Sequence, residues 1–219
     1  MIQVMKITRR HSIVTFLALA MSLPAAASDF QVAAGGPPPP DGLAESLSSM
    51  IEPQGVVTKG PDGKVTAEFW MRTSEFEGEG AGGFGIRFEA IPEGSFLGVV
   101  RFPDTGSDFR EQHIKPGVYT MRFGLHPENG DHMGVASSRD FAVLITADAD
   151  KEPAKNLEFE PMTKLSMDTA GNPHPTIMRL ELPDGDESAH IWQDNENWVL
   201  DLKTASDIIG VVVYGHSEE

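Results

Sequence analysis

Residues 115–146 read "KPGVYTMRFGLHPENGDHMGVASSRDFAVLIT", and this stretch decides the fold class. "VYTMRFGL" and "FAVLIT" are rich in β-branched and aromatic residues, as strands require. Between them, "PENGD" holds Asn129-Gly130, a pair suited to a turn with positive φ at two residues. The stretch therefore predicts two antiparallel strands joined by a hairpin or a wide loop.

The same signals recur on both sides. "VVTKGPDGKVTAEFWMR" (56–72) reads as a hairpin turning at "KGPDGK", with Val65, Ala67, Phe69 and Met71 on one side of its second strand. "FGIRFEAI" (84–91) and "SFLGVVRF" (95–102) read as two more strands of a hairpin. "TIMRLEL", "HIWQ", "NWVLDLK" and "IIGVVVYGH" follow, punctuated by "PDGDE", "DNEN" and "TASD". Helical signals are few: a turn or two in "GLAESLSSMIEPQG" before Pro53, and one short helix in "EPMTKLSMD". Many short strands with regular turn signals predict an all-β chain, an antiparallel β-sandwich of eight to ten strands. It is expected to be one domain over residues 41–219.

Two segments precede that domain. Residues 1–12 carry Lys6, Arg9 and Arg10 and no acid; "IVTFLALAMSLP" is apolar but too short to span a bilayer; "AAAS" offers small residues for cleavage. Residues 1–27 are thus expected to be a secretory signal peptide cut after Ala27 or Ser28. Arg9-Arg10 leaves the Sec and twin-arginine routes both open. Residues 28–40, ending in four prolines, read as a flexible Pro/Gly-rich leader. The expected location is periplasmic or secreted, with no stable membrane insertion once the signal is removed.

Composition narrows the function. The chain has 33 acids against 17 bases, a net charge of −16, and no cysteine. Loss of the signal removes three bases and no acid, so the remainder is more acidic still. Nucleic acid is therefore an unfavourable partner. Thiol catalysis, cysteine-ligated metals and disulfides are excluded. There is no Gly-x-Ser-x-Gly elbow, no Ser-x-x-Lys and no EF-hand spacing. "GAGGFGIRF" lacks the helix and the lysine of a phosphate loop. Little in the sequence points to an enzyme.

Two sets of candidate site residues remain. His126, Asp131, His132 and Met133 offer two imidazoles, a carboxylate and a thioether around one turn, a donor set for copper or zinc. The same residues also make an ordinary polar hairpin end. A sandwich can further bring His126, His132 and His174 to one end, with Asp131 and Asp140. Trp192 and Trp198 flank "QDNEN" and are candidates for stacking on a sugar, with His174 as a further binding residue. The expected function is a non-catalytic binding module for an envelope protein or a glycan. The alternative is a periplasmic copper- or zinc-binding protein built on the His126–Met133 loop.

The chain also resembles a group of secreted bacterial β-rich proteins of unknown function. The residues that carry the likeness are Pro116, Gly117 and Tyr119 at a strand start, the loop Gly130, Asp131, His132, Met133 and Gly134, and Asp140-Phe141 before an apolar strand. "GNPHPTIMRLEL" and "NWVLDLK" share in it, so it spans roughly residues 95 to 215. "KPGVYTMRF" is similar, more loosely, to a second family of β-sandwich domains with a Pro-Ala-Gly-Thr-Tyr signature. The resemblance implies a secreted β-rich domain and supplies no activity.

Overall fold

A computed structural model describes residues 29–108, 112–127, 138–171 and 173–215. The signal-peptide expectation for residues 1–27 lies outside them, as do Asp131, His132 and Met133.

The chain is all-β and antiparallel. In order, its strands are β1 (Gln31–Ala33), β2 (Val56–Lys59), β3 (Val65–Met71), β4 (Phe96–Phe102), β5 (Gly106–Ser107), β6 (His113–Ile114), β7 (Gly117–Leu125), β8 (Asp140–Thr146), β9 (Ile177–Glu181), β10 (His190–Asp194), β11 (Asn197–Lys203) and β12 (Ile208–Tyr214). Ten form one sheet in the order β1-β2-β3-β4-β7-β8-β9-β12-β11-β10, and β5 pairs with β6 alone. The opening stretch makes the central ladder, from Tyr119 opposite Thr146 to Leu125 opposite Asp140. At the ends of the order, β1 and β10 approach each other, and the Phe30 ring meets Trp198 at 5.6 Å and Tyr214 at 5.1 Å. The sheet thus nearly closes on itself into a barrel-like shape.

Closure sorts the side chains. Ala67, Phe69, Met121, Phe123, Leu144 and Leu200 pack into one interior cluster with their neighbours. The outer face is covered only in part. Leu47 of α1 (Glu45–Ser48) packs with Trp70, Phe96 and Val99. Met162 of α2 (Phe159–Ala170) packs with Phe141, Val143, Ile145 and Ile177. β8 is therefore apolar on both faces, which is why "FAVLIT" runs without alternation. Ser166 ties α2 down: its hydroxyl donates to the Leu144 carbonyl at 2.6 Å and accepts the Thr176 N–H at 3.1 Å.

The central ladder carries a buried charge. The Arg122 guanidinium donates to both Asp150 carboxylate oxygens at 2.7 Å, and to the carbonyls of Gly94, Glu152 and Lys155. Thr120 donates a further bond to Asp150 at 2.7 Å. One buried ion pair so fixes the loop after β8.

Three expectations need correction. Residues 84–91 form no strand. Gly83 and Gly85 have φ of 155° and 76°, and the Asp140 carboxylate accepts the N–H groups of Arg87 and Phe88. The segment turns instead of pairing, and its apolar residues Ile86, Phe88 and Ile91 drop into the interior cluster. The leader expected over residues 28–40 is packed over its described part, 29–40: Phe30 is buried, β1 pairs with β2, and the Pro37 carbonyl accepts the Trp70 indole N–H at 2.9 Å. The packed body therefore begins before residue 41. The strands also exceed eight to ten, because the loop at 104–117 contains the β5–β6 ribbon.

Candidate functional site

His126 ends β7. Its N–H donates to the Arg139 carbonyl at 2.9 Å, and its own carbonyl accepts the Arg139 Nε–H at 2.7 Å. These bonds close the base of the loop and turn the imidazole onto Phe141, with ring centroids 4.5 Å apart. Gly124 sits opposite Phe141, and a Cβ there would lie 2.9 Å from that ring. Asp140, once a candidate for the same pocket, faces elsewhere and caps the 84–91 segment. Among the described residues, no three of His, Asp or Glu come together to hold a metal ion.

His126 and His174 are brought to one cleft. It holds about 270 Å³ on the outer face of the sheet, floored by Phe141 and Ile177. Phe159, Thr163 and Met167, spaced by four on one face of α2, form its wall. His126-Pro127 and His174-Pro175 both lie along it.

Trp192 and Trp198 make no common platform. Trp192 pairs with Val199 and Trp198 with Gln193, so the two indoles lie on opposite faces of the β10–β11 hairpin. Trp198 packs on Phe30. Trp192 donates its indole N–H to Asp201 at 2.9 Å, and the other Asp201 oxygen accepts the Asp184 N–H at 3.1 Å. Asp201 is fully buried, and burial pushes its carboxyl pKa up against the lowering effect of those two bonds. His190, its partner across the ladder, stands 3.8 Å from Asp184 with both side chains well exposed.

The larger cavity lies where the sheet nearly closes. About 490 Å³ opens beside Phe30, over Ala67, Phe102 and Met178 of the interior cluster and its own packed residue Val213. Tyr214, 47% exposed, adds an aromatic surface. Polar groups surround this apolar part. They are Asp104, Thr105, Ser107 and His113 from around the β5–β6 ribbon, and Asp62 and Lys64 from the β2–β3 turn. Lys64 pairs with Asp62 at 3.1 Å, and its N–H, then its ammonium, holds the Asp62 carboxyl below the usual range. The shape is that of a barrel mouth, a common seat for small ligands. Sequence reasoning missed it, because its lining comes from distant segments with no local motif; the lone signal was an aromatic, Phe30, inside a polar leader.

Comparison with known proteins gives no match to a family model, a curated protein or a solved structure.

Proposed function

We propose that the protein is an exported, non-catalytic binding module whose ligand is an envelope glycan seated in the mouth beside Phe30. The observation that carries the reading is the mouth's pairing of an exposed aromatic surface with short polar side chains. A pyranose lays its C–H face on an aromatic ring and directs its hydroxyls to carboxylates, imidazoles and hydroxyls. Tyr214 supplies the first, and Asp104, His113, Thr105 and Ser107 the second. The volume falls within the roughly 300–1,000 Å³ of small-ligand sites. Export is supported by the character of residues 1–27, by the acidic, cysteine-free remainder and by the resemblance to secreted β-rich proteins. We read the architecture as a sandwich of two layers sharing β9, since residues 177–179 pair with β8 and residues 180–181 with β12.

The test is calorimetric titration of soluble envelope glycan fragments into exported protein, whose first residue should be Ser28 or Asp29. Binding is expected, and Tyr214→Ala and Asp104→Ala are each expected to abolish most of it while leaving the fold intact. Binding that ignores both substitutions would move the seat elsewhere. Absence of glycan binding, with an envelope protein recognised instead, would replace this reading by the protein-partner one.

A further inference from the structure

We propose that the cleft beneath α2 is a copper(I) site, with His126, His174 and Met167 as its ligands. This is independent of the glycan reading and uses none of its residues.

Three features of the cleft select that ion. First, two histidines and a methionine line one cavity. Imidazole and thioether nitrogen and sulfur are the donors that soft, monovalent copper prefers. Second, no carboxylate lines it among the described residues: Asp140, at the start of the strand paired with β7, directs both oxygens to the 84–91 segment. Calcium and magnesium need several oxygen ligands. The Thr163 hydroxyl, a remaining oxygen, donates to the Phe159 carbonyl at 2.9 Å within its own helix. Third, Phe141, Phe159 and Ile177 make the inner surface of the cleft apolar, and apolar surroundings tolerate one positive charge better than two.

The geometry assigns each ligand a different degree of freedom. His126 is held by its backbone bonds to Arg139 and by its ring contact with Phe141. Met167 projects from a helix pinned to β8 and β9 through Ser166. His174 is exposed, in a short segment between Pro173 and Pro175. Two ligands are therefore placed by the fold, and the third closes over the ion. Low-coordinate copper(I) accepts such a three-ligand set, whereas structural zinc sites demand four.

The test is anaerobic copper(I) titration of the full exported protein against the chelator bathocuproine, with ascorbate present. The parent is expected to take one equivalent. His174→Ala and Met167→Leu are each expected to weaken that binding at least about tenfold, the smallest loss that deleting a metal's supporting residues brings. Both changes are chosen to spare the fold, one being at an exposed position and the other nearly volume-conserving. X-ray absorption of the copper-loaded parent should show one sulfur neighbour that Met167→Leu removes. Failure of the parent to compete with the chelator would overturn the proposal. So would copper held equally well by both variants, or a copper spectrum without sulfur.

Discussion

The β7–β8 ladder and the β1–β10 seam occupy opposite places in the sheet, one at the middle of the strand order and the other at its two ends. They are held by different forces. The ladder has seven consecutive residue pairs and a fully buried Arg122–Asp150 ion pair. Beside the seam, the ring of Phe30, just ahead of β1, packs on Trp198 of β11 and Tyr214 of β12. Backbone bonds and buried charge fix a geometry; ring contacts close a gap and leave space beside it. The 490 Å³ cavity opens beside the Phe30 and Tyr214 rings.

The largest effect is expected on the ladder side. Asp150→Ala leaves the Arg122 guanidinium buried without its anion and leaves Thr120 only its longer bond to the Ile145 carbonyl at 3.3 Å. Breaking a buried pair in this way costs about 3–5 kcal/mol. Urea denaturation of the variant measures it. A loss near that of an ordinary surface change would mean that water reaches Arg122 and that the ladder is not pinned by charge.

Phe30→Ala attacks the seam and is expected to cost less, about 2–3 kcal/mol, below the usual figure for an enclosed phenylalanine because the mouth leaves one side of it open. The comparison predicts a pattern as well as a size. Amide hydrogen exchange should accelerate in β1 and β10 while β7 and β8 keep their protection. Uniform acceleration across all four strands would show that seam and ladder open as one unit, and the contrast between them would fall.

How much of this was legible follows the same division. The ladder side was readable because its strands are long, apolar and adjacent in sequence. "VYTMRFGL" and "FAVLIT" pair as their spacing predicts. The seam was not, because its members are far apart in the chain: Phe30 precedes Trp198 and Tyr214 by most of the sequence. The four prolines drew attention from "DFQVA", which makes β1. "FGIRFEAI" misled for a different reason. Its apolar alternation is that of a strand, and only the distant Asp140 carboxylate and two positive-φ glycines turn it aside. Of the candidate residues, His126 and His174 line one cleft on the outer face of the sheet, while Asp140 turns away from it. The two tryptophans flank one turn in sequence, yet register parity sends them to opposite faces, and parity depends on pairing that spacing alone does not set.

Asp201 gives the smallest effect and the sharpest form of the comparison. Like Asp150 it is a buried carboxylate, but it accepts hydrogen bonds from neutral donors, the Trp192 indole and the Asp184 amide, whereas Asp150 faces a guanidinium. Burial therefore dominates and raises the Asp201 pKa above its ordinary 3.8. A raised carboxyl binds its proton more tightly in the folded chain. Its contribution to stability is then full below 3.8 and is lost as pH rises through the folded value. Glu93, also raised by burial, adds a slope of the same sign. Asp201→Asn removes the first slope and keeps one acceptor oxygen for two donors. The unpaired donor costs about 1–2 kcal/mol where the parent is protonated. As pH rises, both lose the Glu93 contribution but only the parent loses that of Asp201, so their difference should shrink. Denaturation of both across the acid range checks this. A difference that stays constant with pH would mean that Asp201 titrates as an exposed acid, and that the seam side of the sheet is wetter than its packing indicates.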